Sequence, residues 1–206
     1  MPRPASRPPI AVLCSGQGTN LQAILDATRA GRLRARVACV IADREHAVVL
    51  TRAKRAGVAT LYVNPKQFAT RAEFERRLIT LLDAEGVKLV CLAGFMRILS
   101  PVFVRHYPNR ILNIHPALLP AFPGAHAIAD ALRWGVTLTG VTVHLVDEAV
   151  DHGPIVLQEA VSIRRGESEA RLLARVHAVE HRLYPQAIQL LLDGRIRVSG
   201  RTVTLR

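Results

Sequence analysis

Apolar positions along this chain fall into two alternating kinds of run. Short β-rich runs occupy Ile10–Cys14, Val37–Ile41, Thr60–Val63, Lys88–Leu92 and Arg110–Ile114. Between them lie longer segments whose apolar residues recur three and four positions apart, the period of an amphipathic helix. The first, Asn20–Ala30, carries Leu21, Ile24 and Leu25 and stops at Gly31, a residue type suited to a left-handed C-cap. Ala47–Ala56 stops at Gly57. Arg71–Ala84 sets Phe74, Leu78, Leu81 and Leu82 at helical spacing ahead of Gly86. This alternation predicts a parallel sheet with helices on both faces.

The pattern changes after about residue 135. Thr137–Val146 and Pro154–Ile163 read as strands, and the Asp147–Gly153 loop between them is short enough for an antiparallel hairpin. A long helix begins at about Ser168, with Leu172, Leu173, Val176, Val179 and Leu183 on one face. Pro185 is expected to bend or restart it, and Gly194 to end it. Arg195–Val198 and Thr202–Leu205, around Ser199-Gly200, read as a terminal hairpin. The expectation is one α/β domain over residues 10–206 with a mixed sheet. Residues 1–9 read as a disordered tail.

Composition narrows the class. The chain has 206 residues, 50% apolar and 21% charged, enough for a sizeable core in one domain of the usual ~150 residues or a little more. No apolar run approaches the ~20 residues of a membrane helix, and the N-terminus lacks the apolar stretch of a secretory signal. Cys14, Cys39 and Cys91 stand far apart in apolar runs, without metal-site spacing. They read as buried free thiols of a cytoplasmic protein. With 28 Lys+Arg against 16 Asp+Glu the net charge is +12, which raises a nucleic-acid partner as one possibility. Arginines are spread along the chain and aromatics are only 4%, so stacking platforms are scarce. A solvated surface, or a polyanionic small substrate, accounts for the charge as well.

Three places carry candidate chemistry. The first strand runs through Ser15-Gly-Gln-Gly-Thr-Asn20 directly into a helix. A glycine turn there presents backbone N–H groups at the positive end of the helix dipole, a phosphate site, with Thr19 and Asn20 as added donors. A plain tight turn is the other reading. Leu21 stands where a dinucleotide fingerprint needs its third glycine, although Asp43 fits the ribose-binding acid superficially; no P-loop motif exists. The second place is Ile111-Leu-Asn-Ile-His-Pro116, a strand end whose period of two puts Asn113 and His115 on one face. A carboxamide and an imidazole at the carboxyl edge of a parallel sheet can stabilise an oxyanion, or merely bond their own loop. The third is Asp151 in the hairpin loop. It either orients His115 and raises its pKa, or is a solvated turn residue. His177 and His181, four apart around Glu180, lack a third ligand and read as a polar helix face. Trp134 reads as core or rim.

At these residues the sequence resembles the phosphoribosylglycinamide formyltransferases, folate-dependent enzymes of de novo purine synthesis. The resemblance spans roughly residues 10–198. It rests on Val12–Ile24, Leu92–Pro101, Asn113–Pro116 with Leu118-Leu-Pro120 and Pro123-Gly124, Gly140–His144, Asp151-His-Gly-Pro154, and Glu180-His181 with Tyr184-Pro185, all in family order. It implies a Rossmann-like formyltransferase fold, with a mostly parallel mixed sheet and an antiparallel C-terminal hairpin. A phosphate-binding half would cover about 10–108 and a folate and catalytic half about 109–206. It further implies transfer of formyl from 10-formyltetrahydrofolate to the amine of glycinamide ribonucleotide, without a metal.

The roles that follow from the resemblance are specific. Gly18, Thr19 and Asn20 match the substrate-phosphate turn and Glu180 a ribonucleotide contact. Met96, Arg97, Ile98 and Leu99 match the folate-binding stretch, with Arg71 at the anionic end of folate and Asn113 beside the formyl group. His115 matches the catalytic acid and Asp151 the group that raises its pKa. Thr142 matches a position organising the catalytic water and carboxylate. Leu119-Pro120 matches a cis peptide. Three positions depart: Ala117 where Ser is common, Ala121 where the family residue is larger or basic, and His152 where Thr or Gly is usual. The partners implied are small molecules, with no nucleic acid and no membrane, and a homodimer is left open. The nearest rival is formyltetrahydrofolate hydrolase, which usually carries an extra N-terminal domain. Methionyl-tRNA formyltransferase adds a C-terminal domain for which little chain remains after Leu192.

Overall fold

A computed structural model describes residues 7–206. Of the expected tail, residues 1–6 lie outside that description, while Pro9 already opens the first strand. A proline is tolerated as a strand's first residue, where its missing N–H costs no ladder bond, and its carbonyl accepts from the Lys88 N–H at 2.8 Å.

The strands are β1 (Pro9–Cys14), β2 (Arg36–Ala42), β3 (Ala59–Tyr62), β4 (Leu89–Leu92), β5 (Ile111–His115), β6 (Leu138–Leu145) and β7 (Ile155–Ser162). They form one seven-stranded sheet in the order β3-β2-β1-β4-β5-β6-β7. Pairings from β3 to β5 are parallel, and β6 and β7 join antiparallel. The helices are α1 (Thr19–Arg29), α2 (Val48–Arg55), α3 (Arg71–Ala84), α4 (Pro101–His106), α5 (Ala127–Trp134) and α6 (Glu169–Leu192). Strands β8 (Ile196–Ser199) and β9 (Thr202–Leu205) form a separate antiparallel hairpin.

Alternation along β1 divides the core. Ile10, Val12 and Cys14 face Leu21, Ile24, Val176 and Tyr184 of α1 and α6. Ala11 and Leu13 face Phe74, Leu78, Leu82 and Phe103 of α3 and α4. All of these are buried, so the central strands read as unbroken apolar runs because both faces are covered. The three cysteines are buried free thiols, and burial raises the pKa of each.

The periodic segments fold as expected, and α3 has the expected bounds. Two helices were not expected, α4 (six residues) and α5 (eight residues). Pro185 does not restart α6, which runs unbroken through it to Leu192. Packing explains this: Tyr184, Pro185, Ala187 and Ile188 are buried against the sheet, and that contact outweighs one missing helical hydrogen bond. The Tyr184 hydroxyl lies 2.8 Å from the carbonyls of Leu92 and Leu112, donating to one at a time, and ties the helix to the ends of β4 and β5. Trp134 stands exposed at the end of α5.

Topology locates the site. The chain builds outward from β1 to β3, then crosses back to lay β4 on the other side of β1. At that reversal the loops after β1 and β4 leave in opposite directions, opening a crevice at the carboxyl edge.

Candidate active site

A cleft of about 420 Å³ lies at this carboxyl edge, at the ends of β4 and β5. Its walls are Leu92–Leu99 after β4, Asn113–Pro116 at the end of β5, and the loop Val146–Asp151 after β6. The loop after β4 is pinned at several points. The Ser15 N–H donates to the Gly94 carbonyl at 3.0 Å, and the Ser15 hydroxyl accepts the Met96 N–H at 3.0 Å. From α3, the fully buried Glu75 carboxylate accepts the Ser100 N–H at 2.8 Å and also bonds its hydroxyl. Met96 and Ile98 project outward while Leu99 is buried, so the stretch offers the cleft both apolar surface and backbone groups.

Asn113, His115 and Asp151 come together at the end of β5, so Asp151 is not a solvated turn residue. The β5–β6 register sets Asn113 against His144 and His115 against Thr142. Asp151, with a left-handed φ of 50°, turns its carboxylate back over the end of β5. One oxygen, Oδ2, accepts the Gly124 N–H at 2.8 Å and lies 3.4 Å from His115 Nδ1. The other, Oδ1, lies 3.4 Å from Asn113 Nδ2 and 3.6 Å from His144 Nε2. The His115 Nε2–H donates to the Phe122 carbonyl at 2.8 Å. His144 donates from Nδ1 to the Leu145 carbonyl at 2.8 Å, which leaves Nε2 to accept Asn113 Nδ2–H at 3.1 Å. A carboxylate thus sits among two imidazoles and a carboxamide.

The electrostatic result corrects one expectation. Burial of His115 disfavours its imidazolium by more than Asp151 and the Phe122 carbonyl favour it, and His144 adds to the lowering. Its pKa therefore lies below the usual histidine value, not above it. Asp151 supplies the largest counteracting effect. For Asp151 itself burial opposes ionisation. The nearby His144 ring, the Gly124 N–H bond and the charge His115 carries at low pH outweigh that, so its pKa is depressed and it stays ionised.

Of the other expected residues, Met96, Arg97, Ile98 and Leu99 line the cleft, while Gly18, Thr19, Asn20, Arg71, Thr142 and Glu180 do not. Gly18 caps α1 at φ 73°, and a Cβ there would lie 2.5 Å from Val49 Cγ2. The turn needs glycine both for its backbone and for its close approach to α2. Thr19 and Asn20 open the helix, whose first N–H groups have no helical partners. Asn20 is not a free donor: its Nδ2 donates to Glu180 Oε2 at 2.9 Å, and its Oδ1 is buried without a partner. Burial pushes the Glu180 carboxyl up to about 7 against the opposing Asn20 bond. This α1–α6 contact crosses the expected division into two halves. Arg71 reaches the Ile98 carbonyl at 3.5 Å from the start of α3. Arg97 lies over the Phe74 ring and gives its Nε–H to Asp43 at 2.8 Å, so its charge is already paired. Asp43 thereby serves the loop after β4, not a ribose. The Thr142 hydroxyl donates to the Ala117 carbonyl at 2.7 Å and accepts from Leu119 N–H and Gln158 Nε2. It shapes the 117–119 turn and has no bond to the carboxylate. Leu119-Pro120 is cis, as expected.

Sequence reasoning passed over His144, Gly124, Glu75 and Ser15. His144 had a signal: strand alternation puts it on the face of Thr142, across the sheet from Asn113 and His115.

Comparison with known proteins fixes the kinship. The formyl transferase family profile matches residues 9–188. The chain belongs to the formyl transferase family. Among these formyl transferases, it is 44% identical over 189 residues to phosphoribosylglycinamide formyltransferase of Escherichia coli (strain K12), covering 92% of this chain and 89% of that protein. It is 46% identical over 190 residues to the trifunctional purine biosynthetic protein adenosine-3 of Homo sapiens, covering 92% of this chain but 19% of that protein. The chain thus spans between about a seventh and a fifth of the length of the trifunctional relatives it matches. The crystal structure of glycinamide ribonucleotide transformylase 1 from Symbiobacterium toebii matches with a TM-score of 0.97 and 49% identity, over 100% of this chain and 97% of that one. The formyl transferase fold, a mostly parallel sheet with a terminal hairpin, is the one expected. Among the described residues, no helix is long and apolar enough to cross a membrane, and no group of three or more His, Cys, Asp or Glu side chains is placed to hold a metal ion.

Proposed function

We propose that this chain transfers the formyl group of 10-formyltetrahydrofolate to the amine of phosphoribosylglycinamide. The observation that carries the reading is the Asn113–His115–Asp151 cluster facing a mostly apolar cleft beside a helix N-terminus. Similarity over nearly the full length of the Escherichia coli and Symbiobacterium toebii proteins supports the substrate pair. The folate ring system lies against the 96–99 stretch, with its anionic tail toward Arg71. The phosphate of the acceptor lies on the Gly18–Asn20 turn, whose backbone N–H groups and helix dipole favour an anion.

Proton balance then assigns roles. The amine attacks the formyl carbon, the carbonyl oxygen becomes an oxyanion, and the bond to the folate nitrogen breaks. The attacking amine must lose a proton and the departing nitrogen must gain one. A single group that accepts and returns a proton balances the step. His115, its pKa lowered by burial, is neutral at pH 7 and can accept. Asp151, ionised and 3.4 Å away, stabilises the imidazolium so formed. Return of the proton requires an imidazole N–H to exchange its present acceptor for the substrate. Asn113 donates to the oxyanion, a kind of contact worth roughly 3–4 kcal/mol in the transition state. Glu180 positions Asn20 and with it the first turn of α1. The buried thiols favour a reducing cytoplasm as its location, and the partners are small molecules, with no nucleic acid or membrane.

The test is absorbance of the folate product with and without phosphoribosylglycinamide. Product that requires the acceptor supports transfer. Equal rates in its absence identify a hydrolase instead.

A further inference from the structure

His152 is one residue past Asp151. Its side chain is exposed and takes no part in the cleft, yet both ring nitrogens are engaged. Nδ1 lies 2.7 Å from Asp147 Oδ2, and Nε2 lies 2.7 Å from a guanidinium nitrogen of Arg201. Arginine only donates, so Nε2 accepts and the Nδ1–H is given to Asp147. Asp147 Oδ1 in turn accepts the Ala149 N–H at 3.0 Å. Arg201 belongs to the tip between β8 and β9, outside the main sheet and far along the chain from this loop.

We propose that the C-terminal hairpin braces the catalytic loop, with Arg201 and His152 acting as positioning residues for Asp151. The loop needs such a support. Asp151 holds a left-handed φ of 50°, a conformation that a non-glycine residue keeps only when its surroundings enforce it. On one side, Gly153 packs so closely that a Cβ would overlap the Leu145 carbonyl oxygen. On the other, residues 148–150 are exposed. The chain Arg201–His152–Asp147–Ala149 N–H closes that open side from the outside. It fixes the peptide that follows Asp151 without touching substrate. Its effect passes through the Asp151 carboxylate to His115.

The inference rests on the formyl-transfer reading only for its kinetic consequence, so its test has a second readout. Parent, Arg201→Ala, His152→Ala and the double variant are compared by proton NMR titration of His115. The groups facing His115 are Asp151, His144 and the Phe122 carbonyl. A loosened Asp151 stabilises the imidazolium less, so His115 should titrate lower by at least about 0.3 pH unit in each single variant. The kcat for formyl transfer should fall about three- to tenfold, with KM for both substrates within about twofold. The double variant should be no worse than either single, and Arg201→Lys should regain part of the loss. An unshifted His115 in correctly folded Arg201→Ala overturns the brace, whatever reaction the protein performs. Losses that multiply in the double variant overturn it as well. A shifted His115 in a protein without transfer activity upholds the brace and refutes the proposed reaction instead.

Discussion

Replacing Asp151 by Asn removes one charge and keeps the shape of the side chain. Its Oδ2 lies 3.4 Å from His115 Nδ1, and the side chain is 12% exposed. Unit charges about 4 Å apart interact by about 4 kcal/mol at an effective dielectric near 20. The cleft is open to water and the new amide still accepts the Gly124 N–H, so the loss is set at about half to three-quarters of that. An imidazolium destabilised by about 2–3 kcal/mol slows the step through it by roughly 30- to 150-fold. The NH2 of the new amide also meets the donor Asn113 Nδ2, which adds to the cost. The acceptor-phosphate turn is separate, so KM for phosphoribosylglycinamide should change little. In this account the resting His115 is neutral and activity is lost as pH falls through its pKa. Without the carboxylate that pKa drops further, so the acid limb of kcat/KM should move to lower pH. A pH series with the folate absorbance assay measures both effects. A folded Asp151→Asn protein with kcat within about threefold of the parent, or with an unmoved acid limb, refutes the role given to Asp151.

Other perturbations separate the parts of the site. Gly18→Ala forces a Cβ against Val49 at a φ of 73°, so it should lower stability by about 1–3 kcal/mol and raise KM for the acceptor more than for the folate; denaturant unfolding and the two KM values check this. Glu75→Ala leaves the Ser100 N–H and hydroxyl without their buried acceptor, costing about 2–4 kcal/mol, and frees the loop after β4. KM for the folate should therefore rise while the acceptor's KM holds. Glu180 has its carboxyl raised to about 7. Its contribution to stability is full below the unfolded value near 4.5 and is lost as pH rises toward 7. Glu180→Gln keeps an acceptor for Asn20 and escapes that loss, so it should gain up to about 3 kcal/mol over the parent at pH 8 and little at pH 5. Thermal melts at both pH values decide it.

Local periodicity made much of the fold legible. Glycine-ended helical periods marked α1, α2 and α3, and the late pair of β-rich runs marked the β6–β7 hairpin. Period two also placed Asn113 and His115 together on β5. What it could not show is depth. The sign of the His115 shift depends on how far the loop 121–124 and β6 bury the ring, and no local pattern reports that. Long-range partners were equally hidden: Arg97 meets Asp43, Asn20 meets Glu180, and Thr142 serves the 117–119 turn. The helix through Pro185 shows tertiary packing overruling a strong local breaker. For Asp151 the choice between a catalytic partner and a solvated turn residue came from resemblance, since an acid in a hairpin loop has no pattern that points it at a histidine.

In the proposed reaction the cleft joins a formyl donor to an amine acceptor through His115. Carbon-13 label in the formyl group of 10-formyltetrahydrofolate, followed by NMR during turnover with phosphoribosylglycinamide, tests it directly. The label should appear in the formamide of the acceptor as tetrahydrofolate accumulates, and His115→Ala should nearly abolish this. Label released as formate, or transfer that continues at the parent rate without His115, would contradict it.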